Sequence, residues 1–238
     1  MKERSCLFTY FCACVSALVL LMSVFPRTAL AEEEYTSTTM RLLHYEGTVG
    51  IEDASGKQLP VMENARLRSG ETMKTGEASS ASVGLDKGRV CTLDALSRVE
   101  FSKENGALTM NLTEGRIFLD VSDKLDAGET MDVRSSTIAV GIRGTILFIS
   151  NEPVAEKSAG NLESVDLTGL APEKGSIIRL SQVGVLEGST EITYLDDAGQ
   201  EQSLAVDAGQ KAIVPEYSED AEGTYEPVVS EITQEDLK

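Results

Sequence analysis

The chain is predicted to be all-β, with short strands in stacked β-units that form a sandwich or a β-helix-like roll. Three observations predict it. Apolar residues alternate at period two through Ala81/Val83/Leu85, Leu108/Met110/Leu112, Ile117/Leu119/Val121 and Ile138/Val140/Ile142. Turn formers bound each run: Ser55-Gly56, Asp86-Lys87-Gly88, Glu104-Asn105-Gly106, Glu114-Gly115 and Ala127-Gly128. Stripes at period 3.6 are nearly absent, and helical turns fit only around Asp94–Ser97 and Ser230–Leu237.

From the N-terminus, Met1-Lys2-Glu3-Arg4 is net positive, and an apolar run follows over Cys6–Phe25. Ala29-Leu30-Ala31 then precedes Glu32-Glu33-Glu34. That order is an export signal over 1–31, with Ala29 and Ala31 at the cleavage positions. Kept uncleaved, the same run approaches the ~18 residues of a membrane anchor. Cleavage leaves 207 residues, Glu32–Lys238, enough for one ordinary core.

The main β-domain is expected over 42–150. Asn105-Gly106 between strand-like runs is a strong hairpin signal. Two patterns recur. Glu46-Gly47, Glu114-Gly115 and Glu187-Gly188 each precede a strand. Gly70-Glu71-Thr72-Met73 and Gly128-Glu129-Thr130-Met131 repeat, with Gly209-Gln210 as a looser third copy. Such units cannot bury an apolar face alone and must stack. Residues 151–176 read as a loop excursion dense in turn formers. Residues 177–214 read as a closing hairpin of the same module, and 215–238 as an acidic flexible tail.

Charge and cysteines narrow the function classes. The formal charge is −18, and removing Lys2, Glu3, Arg4 and Arg27 with the signal leaves −20. Such a surface repels nucleic acid and anionic lipid, so no nucleic-acid partner is expected. Cys91 is the sole cysteine after the signal, which rules out an internal disulfide. Its strand-like setting suits a buried thiol, and the single histidine, His44, has no triad context. No calcium-loop, H-E-x-x-H or G-x-S-x-G motif occurs, so no catalytic residue, metal ligand or cofactor site is assigned. Asn111-Leu112-Thr113 matches a glycosylation sequon but falls inside a strand-like run.

The run IAVGIRGTILFIS, 138–150, sets an arginine between two glycines inside an apolar strand pattern. The spacing is wrong for a phosphate loop and no Lys follows Gly144. The flanks are strands, unlike a nucleic-acid-clamping GXXG loop. A structural motif of Gly141, Arg143, Gly144 and Thr145 is the remaining reading. The glycines kink the strand, and Arg143 turns to the rim to gather turn carbonyls or a carboxylate. Removing the partner of a buried arginine costs roughly 3–5 kcal/mol.

Taken in order, the motifs resemble those of the FecR domain. They are Glu46-Gly47-Thr48-Val49, Gly70–Gly76, Ser80–Gly88, Ser97-Arg98-Val99, Leu108–Ile117 and Ala139-Val140-Gly141-Ile142-Arg143-Gly144-Thr145. The resemblance covers about 42–150 and, more loosely, 177–214. The transducers that named this family place a cytoplasmic anti-sigma segment before a membrane span. About five residues precede the apolar run here, so that role is not carried over. The resemblance implies an exported, non-enzymatic β-module of the extracellular space or cell envelope. It would act as an interaction or scaffold unit for a protein or glycan partner of unknown identity. A membrane-anchored signal-transducing component is the alternative if the N-terminal segment is kept.

Overall fold

The computed structural model describes residues 40–86, 88–121, 123–153, 177–196, 199–217 and 227–237, all within one compact unit spanning Thr38–Lys238. Ala29, Ala31 and the whole signal segment lie outside the described residues.

Seventeen strands and no helix make up the described part. In order they are β1 (Met40–Glu46), β2 (Val49–Glu52), β3 (Gln58–Leu59), β4 (Arg66–Leu67), β5 (Glu71–Thr75) and β6 (Ser80–Asp86). Next come β7 (Arg89–Leu93), β8 (Arg98–Glu104), β9 (Ala107–Asp120), β10 (Thr130–Arg134), β11 (Ile138–Gly141) and β12 (Ile146–Pro153). The last five are β13 (Ile177–Glu187), β14 (Ser189–Leu195), β15 (Glu201–Asp207), β16 (Gln210–Tyr217) and β17 (Val228–Glu231). The all-β expectation holds.

The strands form two sheets joined through β9. Sheet I runs β4-β1-β6-β7-β9-β12-β13-β16-β17. Sheet II runs β3-β2-β5-β8-β9-β10-β11-β14-β15. Ala107–Glu114 of β9 pairs in sheet II and Gly115–Asp120 in sheet I. Every pairing is antiparallel except β9 with β10. One apolar core takes residues from both sheets, among them Leu42, Val83, Leu119 and Val183 from sheet I and Met73, Phe101, Met110 and Ile192 from sheet II. Alternation made this legible, because a strand with one buried face must carry its apolar residues at period two.

Four expectations are corrected. Asp94–Ser97 is a corner and Val228–Glu231 is a strand, so neither forms a helical turn. The closing segment after Ile177 is four strands, β13 to β16, rather than one hairpin. Asn151–Pro153, placed in the loop excursion, extends β12, while 154–176 lies outside the described residues. The expected flexible tail instead carries β16 on to Tyr217 and adds β17 to its edge, through pairs such as Ala212 with Val229. Val228 and Ile232 are half-buried there while Val229 faces solvent, an apolar signal diluted in sequence by acidic neighbours. Residues 218–226 lie outside the described residues.

Candidate interaction site

The recurring Glu-Gly pairs mark corners where the chain passes between sheets. Gly47, Gly115 and Gly188 all take positive φ, at 74°, 88° and 83°. Each nests against a second corner built from a left-handed residue and a buried hydroxyl residue. Those partners are Ala78-Ser79, Leu96-Ser97 and Gly144-Thr145, with φ of 48°, 53° and 77° at the first position. The nesting is close: a Cβ on Gly115 would lie 2.5 Å from Ser97 Cα, and one on Gly188 would lie 3.0 Å from the Gly144 carbonyl oxygen. Hydroxyls stitch each pair. Ser79 Oγ accepts from Thr48 N and Ser97 Oγ from Arg116 N, each at 2.9 Å, while Thr145 Oγ1 donates to Ser189 O at 3.1 Å.

The Gly141–Thr145 stretch is therefore one copy of a threefold device. It is not a single kinked strand but the corner between β11 in sheet II and β12 in sheet I. Ile142 is buried, and its N–H donates to Met131 O at 2.8 Å. The Gly141 carbonyl accepts from Thr190 Oγ1 at 2.6 Å. Arg143 is exposed and, among the described residues, makes no side-chain hydrogen bond or ion pair. The expectation that it gathers turn carbonyls is corrected: the corner turns it outward, and Thr145 holds the joint.

Arg89 performs that task instead. It is 2% exposed. Its Nη1 donates to Asp86 Oδ1 at 3.0 Å and Glu129 Oε2 at 3.1 Å. Nη2 reaches Lys124 O at 2.8 Å and Nε reaches Asp123 O at 3.3 Å. Lys103 Nζ meets the other Asp86 oxygen at 2.8 Å. This ties the β6–β7 hairpin to the chain between β9 and β10. A sequence signal existed: Arg89 lies in phase with Cys91 and Leu93, on the core side of β7. A charge in that phase must be paired.

The second repeat also has a mechanism. In Arg68–Glu71 and Asp126–Glu129, the Glu carboxylate accepts the backbone N–H three residues before it, at 2.9 and 3.0 Å. Gln210 Oε1 does the same for Asp207 N at 3.1 Å. Gly70, Gly128 and Gly209 supply the positive φ that each turn requires.

A polar cleft of about 430 Å³ opens where Leu112–Thr113, the Arg134–Ser136 turn, Asn151, Arg179 and Glu216 converge. Its floor is fixed by hydrogen bonds. Buried Asn151 donates through Nδ2 to Leu112 O at 3.1 Å and Thr113 O at 2.9 Å. Arg179 Nη1 donates to Thr113 O at 3.2 Å, and its Nε lies 3.7 Å from Glu216 Oε2. Ser136 Oγ donates to the same Glu216 oxygen at 2.7 Å. Arg134 stands at the rim, mostly exposed, beside Asp132 at 3.3 Å. Two guanidiniums and several hydroxyls on a strongly acidic chain suit a partner offering carboxylates or hydroxyls. The only histidine is elsewhere, on β1, where His44 Nδ1 meets Glu63 at 3.0 Å. No group of three or more His, Cys, Asp or Glu among the described residues is placed to hold a metal ion. Cys91 is buried, and desolvation pushes its thiol well above the ordinary range, which makes it inert.

Fold and repeats define a β-scaffold of two sheets pinned at glycine corners. Residues 71–163 match the model of the FecR protein family, spanning β5 to β12 and ten residues beyond. Gly141–Thr145 lies inside the match. Two crystal structures of an anti-sigma factor candidate from Parabacteroides distasonis are similar, each at 16% identity, with TM-scores of 0.46 and 0.45. Each alignment covers 67% of this chain and 59% of that one, so the chain spans less than two-thirds of their length. No curated protein matches the chain in sequence.

Proposed function

We propose that the chain is an exported, non-enzymatic interaction or scaffold module of the cell envelope or extracellular space, holding a protein or glycan partner. The FecR match over 71–163 carries this reading. The Arg134/Arg179 cleft supports it, offering fixed donors in a surface otherwise dominated by carboxylates. Immobilised mature protein should retain an envelope protein or glycan, and Arg134→Glu at the exposed rim should weaken retention without moving the melting temperature. Repeated failure of the wild type to retain any partner would sink the proposal.

The apolar run Cys6–Phe25 favours a second reading, a membrane-anchored component of an envelope signalling system. Mass spectrometry of the native N-terminus separates the two. A chain starting at Glu32 excludes anchoring by this segment, and an intact Met1 supports it.

A further inference from the structure

The outer face of sheet I holds a second small core, distinct in its residues from the cleft. The middle of β12, β13 and β16 is buried without the alternation of a one-sided strand. Phe148, Leu180 and Ile213 are buried yet stand apart from the main core. Phe148 packs tilted against Phe118, ring centroids 6.0 Å apart, and the Arg116 guanidinium lies 5.3 Å over its ring. Gly184 leaves space for that ring, which a Cβ would overlap.

The chain's own C-terminus sits against this face. After β17, Ile232 N donates to Gly209 O at 2.8 Å. Asp236 then reaches in: Oδ1 pairs with buried Lys211 Nζ at 2.6 Å, and its carbonyl accepts from Arg116 Nη1 at 3.1 Å. Thr233 donates to Asp236 Oδ2 through N at 2.6 Å and Oγ1 at 2.7 Å. The fit is incomplete. Among the described residues, Ser150 Oγ and Arg116 Nε are buried and have no hydrogen-bond partner. Ser150 lies in register with Arg116 on one side and Gln182 on the other. Lys211 thus holds a carboxylate supplied in cis and Arg116 holds the same residue's main-chain carbonyl, while two donors on the sheet, Ser150 Oγ and Arg116 Nε, stay unused, where a buried polar group without a partner carries a penalty.

We propose that this groove is a recognition site for an extended acidic segment of a partner protein, held closed by residues 227–237 acting as a built-in competitor. The incoming segment would pair along β16 as β17 does, setting an Asp or Glu against Lys211 and that residue's main-chain carbonyl against Arg116, as Asp236 does. Strand addition supplies main-chain hydrogen bonds, and the charge pocket supplies selectivity. The groove's cations complement an acidic segment on a chain whose net charge otherwise repels one.

The test uses the full chain and a fluorescent peptide of residues 227–238 as the probe, read by anisotropy. Wild type should bind it weakly, because the tethered strap competes at high effective concentration. Asp236→Asn in the protein should release the strap and tighten peptide binding by on the order of 10-fold. A peptide carrying Asn at the position of Asp236 should not bind, and adding Lys211→Gln to the Asp236→Asn protein should abolish the gain. If Asp236→Asn fails to fold by circular dichroism, Thr233→Val, which removes one of the two Thr233 hydrogen bonds, replaces it with the same expected direction. No tightening in a folded variant, or equal binding of the Asn peptide, overturns the proposal. A concentration-dependent dimer of the variant in place of peptide capture also overturns it, in favour of strap exchange between copies.

Discussion

At the scale of single residues, two arginines exchange the roles their surroundings suggest. Arg143 is flanked by glycines and looks held, yet it points to water. Arg89 sits in an unremarked strand run and is surrounded by two carboxylates and two carbonyls. Arg143→Ala should therefore change stability by less than about 0.5 kcal/mol. Arg89→Met should cost about 3–5 kcal/mol, since Glu129 loses a buried partner while Asp86 keeps only Lys103. Urea unfolding of both variants checks the contrast; similar losses would contradict the assignment. His44 gives a second residue-scale expectation. Its hydrogen bond to Glu63, then that to Glu46, raises its pKa above the ordinary 6.5. Any stabilisation from this pair is fully present below pH 6.5 and fades as pH climbs through the raised value. As the chain's one histidine, it yields a single NMR titration curve. Glu63→Gln should move that midpoint down.

The elements explain why some of the fold was legible and some was not. Strand identity was open to reading, because burying one face of a sheet imposes period two on residues such as Ala81, Val83 and Leu85. The repeated Glu-Gly pairs are visible in the sequence too, but not their job, which depends on partners 19 to 44 residues away such as Ser97 and Thr145. Strand β9 shows in the sequence as two runs, because Gly115 resembles a turn while acting as a bend in one continuous strand. The cleft left no mark either, since Arg134, Asn151, Arg179 and Glu216 come from four separate strands. A graded glycine series tests the corner account. Gly209 has open space around a Cβ, so Gly209→Ala should cost only the left-handed penalty, about 1–2 kcal/mol. Gly115→Ala adds backbone overlap at Ser97 and should exceed about 3 kcal/mol. Equal melting temperatures for the two variants would refute the nesting.

For the whole molecule, acid should loosen the C-terminal strap. Burial alone would raise the Asp236 pKa, but hydrogen bonds from Lys211 and Thr233 outweigh it and hold the carboxyl below its ordinary 3.8. A depressed carboxylate stabilises the fold above that ordinary value and ceases to do so as pH falls through the lower, folded-state value. Amide exchange of Val229 and Ile232 should therefore accelerate below about pH 3.8 in wild type and already be fast at neutral pH in Asp236→Asn. Unchanged exchange across that range would mean that the ion pair does not hold the strap. The core below rests on a different dependence, because β9 pairs with β7, β8, β10 and β12. Among the described residues, eight strands precede that keystone in the chain and eight follow it. Neither sheet can close around its middle without residues up to Asp120, so a chain cut short of β9 would keep two unfinished halves with no shared strand to join them.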